Sequence, residues 1–82
     1  MTTFLVEAYT PATIEIAELE ARARRAADNL AKTGTEVHYV RAIYVPEDEI
    51  CLHLLEAPTV EAAHDLIRQA GISADRIAKA TP

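Results

Sequence analysis

Cysteine occurs once in these 82 residues, so Cys51 can form no internal disulfide and anchor no Cys-rich zinc framework. Positive charge is also scarce. Eight Lys and Arg stand against thirteen Asp and Glu, a net charge of -5 that repels nucleic acid and anionic lipid and makes cations the more natural partners. No apolar run approaches the roughly 18 residues that a membrane helix needs. Met1-Thr2-Thr3 lacks the basic start of a signal peptide, so the chain is expected to be cytoplasmic, without membrane or nucleic-acid partners. There is no Gly-rich phosphate loop, His-Glu-x-x-His, Gly-x-Ser-x-Gly or Cys-x-x-Cys. Phosphoryl transfer, zinc proteolysis, hydrolase-type acyl transfer and dithiol redox therefore lack their signatures.

What is present describes one soluble domain spanning residues 1–82, with 50% hydrophobic and 26% charged residues. A chain of this size buries only about 60 to 65% of its unfolded surface, so packing a sheet face against a second copy would help, and a homodimer is expected. Glycine and proline are few, but Pro11, Gly34, Pro46, Pro58 and Gly71 cut the sequence into six segments. Thr3 to Tyr9 is rich in strand formers. A helix then starts at Thr10-Pro11 or Thr13, with Ile16, Leu19, Ala23, Ala26 and Leu30 as its buried stripe. Glu18/Arg22 and Glu20/Arg24 are spaced to pair on its wet side, and Lys32 and Gly34 close it. Glu36 to Val45 and Glu49 to Glu56 are β-branched and aromatic runs flanking a hairpin tip at Pro46-Glu47-Asp48. Thr59 caps a second helix, whose stripe is Val60, Ala63, Ile67 and Ala70 and whose end is Gly71. Arg76 to Ala80 is a charged edge strand.

The order β-α-β-β-α-β predicts an α+β, ferredoxin-like antiparallel sheet of spatial order 4-1-3-2 with both helices on one face. If Val45 pairs with Ile50, strand periodicity puts Val37, Tyr39, Arg41, Ile43, Val45, Ile50, Leu52 and Leu54 on one face. His38, Val40, Ala42, Tyr44, Cys51, His53 and Leu55 share the other. The first set is the more aliphatic and is expected to meet the helices together with Phe4, Val6 and Ala8. The second set then joins Leu5, Glu7 and Tyr9 in a face too apolar to stay wet and too polar for plain core. Such a face suits a dimer interface containing a polar pocket, as in a dimeric α+β barrel.

Several residues in this arrangement could carry chemistry. Cys51 and His53 emerge on one face about 6.7 Å apart along the strand, and Glu7 is expected to approach them from the neighbouring strand. Cys, His and Glu suit a borderline transition metal such as nickel, zinc or cobalt. The alternative is that Cys51 is a small buried hydrophobe and His53 a hydrogen-bonded pocket residue. His38 lies roughly 13 Å from His53 along the sheet, too far to share an ion within one chain, and reads either as a surface residue or as a donor completed by another subunit. His64 and Glu61, three apart on helix 2, form a two-donor surface pair or an ordinary solvated face. The acidic tip Glu47-Asp48-Glu49 could attract cations, or is simply solvated charge. A small enzyme using Glu7, Tyr9, Tyr44 and His53 on an organic substrate is the competing reading.

A wider pattern runs through Leu5-Val6-Glu7, Tyr44-Val45-Pro46-Glu47-Asp48 with Cys51 after it, Leu55-Glu56-Ala57-Pro58, and Ala70-Gly71-Ile72-Ser73-Ala74-Asp75-Arg76-Ile77. It resembles the small bacterial nickel-binding proteins of ferredoxin-like fold over nearly the whole chain. The resemblance implies a homodimer that binds Ni2+ for sequestration or tolerance and catalyses no reaction. His38, His53 and His64 are then the principal metal-ligand candidates, with Glu7, Cys51 and Glu61 as helpers. Two departures stand out: His53 occupies a position where relatives often carry a second Cys, and Ile67 one where many carry a His, for which His64 one turn earlier is the candidate substitute. The rival to this reading is a small dimeric-barrel monooxygenase or isomerase that uses the pocket of Glu7, Tyr9, Tyr44 and His53 on a small organic substrate.

Overall fold

A computed structural model describes residues 1–81 of the chain. The strands are β1 (Thr2–Tyr9), β2 (His38–Val45), β3 (Ile50–Ala57) and β4 (Arg76–Ala80), and the helices are α1 (Ile16–Lys32) and α2 (Val60–Ala70). They form one antiparallel sheet ordered β2-β3-β1-β4, the ferredoxin-like arrangement that the element order predicts. Each helix connects strands that are not neighbours, so α1 and α2 lie side by side and cover the same face.

The second helix follows its punctuation closely. Thr59 Oγ1 accepts a hydrogen bond from the Ala62 amide at 3.1 Å, satisfying one of the amides that a helix start leaves unpaired. Gly71 ends the helix at φ 73°, a left-handed conformation that a side chain would strain. Ala62, Ala63, Leu66, Ile67 and Ala70 are buried, whereas Val60, expected in the stripe, is exposed.

The first helix begins later than its threonines suggest. Thr10 is buried and ties the end of β1 to the hairpin, its amide donating to Glu49 O at 2.7 Å, so it caps nothing. Glu15 stands at the cap position without a side-chain hydrogen bond. The pairs Glu18/Arg22 and Glu20/Arg24 are replaced by other contacts. Glu18 instead stands 3.8 Å from Arg25, Glu20 Oε2 accepts from the Ala42 amide at 2.8 Å, and Arg24 donates to Val40 O at 3.0 Å. For Glu20 and Arg24 the cause is a bulge at Val40, where the β2–β3 register shifts between Tyr39 and Arg41. A bulge interrupts the ladder and leaves backbone groups to be satisfied from elsewhere. Two side chains of α1 do this.

The hairpin closes as predicted with Val45 opposite Ile50, but its two faces are assigned the other way round. Phe4 pairs with Leu55, Val6 with His53 and Ala8 with Cys51, so these six side chains point together toward the helices and all are buried. Ile50, Leu52 and Leu54, expected beneath the helices, share the open face with Leu5, Glu7 and Tyr9. On β2 the bulge brings Tyr39 into the core beside Ala42 and Tyr44, while Arg41, Ile43 and Val45 join the open face. Aliphatic content was a poor guide because both faces are apolar. The helices present mostly alanine, leaving room over the sheet for Tyr39 and His53.

Candidate functional site

The expected pocket of Glu7, Tyr9, Tyr44, Cys51 and His53 is not formed. Antiparallel pairing places Glu7 opposite Leu52, so its carboxylate lies on the open face and stands 3.6 Å from Arg76. Tyr9 is exposed on that same face. Tyr44 turns to the helix side and donates its hydroxyl to Thr10 O at 2.8 Å. The acid and base groups that an enzyme pocket would need are therefore divided between the two faces of the sheet.

Cys51 and His53 have no exposed surface. His53 Nδ1 and Tyr39 Oη lie 2.6 Å apart, and the two rings tilt against each other at 5.8 Å between centroids. The phenol is the stronger donor of the two, so it donates to Nδ1 and the neutral ring carries its proton on Nε2. Nε2 is buried and has no partner among the described residues. Burial holds the His53 pKa down at about 4, partly countered by the nearby Glu20 carboxylate. Burial likewise pushes the Tyr39 hydroxyl and the Cys51 thiol above their usual ranges. These groups rest in their neutral forms at pH 7.

The other two histidines are exposed. His38 begins β2, and its Nε2 lies 3.3 Å from Glu36 Oε1, two residues back along the chain. Glu36 was not among the sequence candidates, although alternate residues of extended chain fall on one side, and that spacing is the signal that could have found it. His64 sits exposed on α2 with Glu61 one turn before it, and the neighbouring Asp65 is engaged by Arg68. Ile67 belongs to the core, so His64 does not reach the place a histidine at that position would occupy. Among the described residues, no group of three or more His, Cys, Asp or Glu side chains stands close enough to hold a metal ion. The single chain thus offers two-donor pairs rather than a closed cage. None of its described helices is long and apolar enough to cross a membrane.

Comparison with known proteins gives this arrangement a context. The solved structure of SCO4226 from Streptomyces coelicolor A3(2) superimposes with a TM-score of 0.72 at 25% sequence identity, covering 98% of this chain and 96% of that one. No curated protein sequence matches. The sequence profile described as "Nickel responsive protein SCO4226-like" matches residues 4–79. A match of that extent, on a chain with the same fold, places this protein in the SCO4226-like family of nickel-responsive proteins.

Proposed function

We propose that this protein binds divalent nickel through exposed imidazole–carboxylate pairs, acts as a homodimer, and sequesters excess metal in the cytoplasm without catalysing a reaction. The observation that carries the reading is the His38–Glu36 pair, in which an imidazole nitrogen and a carboxylate oxygen already stand 3.3 Å apart on an exposed edge of the sheet. Nickel accepts imidazole nitrogen and carboxylate oxygen and completes its shell with water. His64 with Glu61 supplies a second pair of the same composition at i,i+3 spacing. His53, Cys51 and Glu7 are the weaker candidates, the first two for want of access and the third because Arg76 stands beside it. The family's nickel-responsive description and the acidic net charge favour the same reading.

The dimer rests on the open sheet face. Leu5, Ile43, Leu52 and Leu54 form an apolar patch there that neither described helix covers, and a second copy packed face to face would bury it. The test of the function is calorimetric titration of tag-free protein with nickel. Saturable binding that is weakened by His38→Ala, and by Glu36→Ala to a smaller degree, supports the reading. Absence of heat and of retained metal overturns it.

A further inference from the structure

We infer that the cleft between the end of β1 and the end of α2 is a binding site for a small apolar carboxylate, with Arg22 as its anion-binding group. The cleft has a volume of about 170 Å³. Ala8, Ile14, Leu19 and Ile72 give it apolar walls, and Arg22 and Ser73 are polar groups on its lining. It lies on the helix side of the sheet, remote from the His38–Glu36 edge, and uses none of the residues assigned to nickel.

Two observations point to a ligand. Of the four arginines on the helices, Arg24 bonds Val40 O, Arg25 stands against Glu18 and Arg68 engages Asp65. Arg22 alone of these has no hydrogen bond or ion pair among the described residues, because Glu18, one turn before it, faces Arg25. Next, Ile14 is 43% exposed in the loop before α1, so part of the apolar wall is in contact with water that an apolar ligand would displace.

The ligand class follows from size and charge. The volume is below the roughly 300 Å³ at which sites for drug-sized molecules begin. A single guanidinium against apolar walls suits one carboxylate carrying a short branched or aromatic body. A phosphate or a dianion would leave charge unpaired against those walls.

The probe is 4-methylpentanoate, titrated into 15N-labelled protein and followed by two-dimensional NMR, with the uncharged 4-methylpentanamide as its counterpart. The expected result is saturable shift changes confined to Ile14, Leu19, Arg22, Ile72 and Ser73, with the amide binding at least roughly tenfold more weakly, as loss of a charge-assisted hydrogen bond requires. Arg22→Met should weaken carboxylate binding by a similar factor and abolish the preference over the amide. Ile14→Ser, in an exposed loop, should weaken both ligands. Unchanged spectra at millimolar carboxylate, shifts scattered over the surface, or equal binding of acid and amide would overturn the site. Nickel titration of Arg22→Met should match that of the parent protein, which separates this inference from the metal reading.

Discussion

Tyr39 and His53 meet beneath α1, hydroxyl to Nδ1 at 2.6 Å, and leave His53 Nε2 without a partner among the described residues. The consequence is a pH-dependent fold. The imidazole has an ordinary pKa near 6.5 when unfolded and about 4 in the folded chain, so the unfolded state binds the proton more readily. Stability from this group is fully present above pH ~6.5 and is lost as pH falls from there to about 4. Linkage gives a loss of about 3 kcal/mol over that window. Glu20 and Arg24 of α1 are the charged groups facing the pair, and Glu20 moderates the shift. Urea denaturation at pH 7.5 and 4.5 should show the loss in the parent protein and much less of it in the double variant Tyr39→Phe/His53→Leu, which removes both polar partners together. An equal loss in the two proteins would assign the effect to the carboxylates.

Cys51 should be unreactive in the folded protein. Its thiol has no exposed surface, and burial, with Glu20 adding a smaller effect, raises its pKa so that little thiolate exists at pH 8. Labelling with an aromatic disulfide reagent is expected to proceed at the rate of unfolding and to accelerate with urea. Immediate labelling in the absence of denaturant would contradict the placement of Cys51 beneath the helices.

Much of this fold is legible from punctuation. Thr59 and Gly71 bound α2, Pro46 with its acidic neighbours turns the hairpin, and Arg76 to Ala80 forms the edge strand as its composition suggests. Which face of β3 lies inward was not legible, because Ile50, Leu52 and Leu54 are as apolar as any core set and only the pairing of Val6 with His53 decides between them. The bulge at Val40 was equally hidden, since no glycine or proline marks it. That bulge brings Tyr39 into the core, and the pairing of Val6 with His53 dissolves the expected polar pocket. His38 and His64 are exposed, as their places at a strand start and on a helix's polar face suggest, whereas Glu36 lies just before β2, outside any element whose periodicity would pair it with His38.

Glu20 is expected to contribute to stability through the backbone rather than through an ion pair. Its carboxylate accepts from the Ala42 amide at 2.8 Å beside the bulge, where the β2 ladder is interrupted. Glu20→Ala leaves that half-buried donor without its partner, a cost of about 1 to 2 kcal/mol. Glu20→Gln keeps an acceptor oxygen and should recover most of the loss. Thermal melts of the two variants measure the difference, and equal melting temperatures for Ala and Gln would show that the bond contributes nothing.

Leu52 tests the dimer and, through it, the arrangement of the metal site. It lies near the middle of the open sheet face, opposite Glu7 on one side and Ile43 on the other. A face-to-face homodimer would bury it, and Leu52→Glu would then confine unpaired carboxylates in an apolar layer, at a cost well above that of an exposed charge. Sedimentation velocity should show the parent protein as a dimer and the variant as a monomer with unchanged helical circular dichroism. A monomeric parent would remove the dimer from the proposal. Nickel binding by the monomeric variant then discriminates between two arrangements. Both donors of the His38–Glu36 pair come from one chain, so the variant is expected to keep its nickel stoichiometry with affinity within about threefold. Loss of nickel together with the dimer would mean that the shell is completed by a second subunit, and that the pair on one chain is only half of the site.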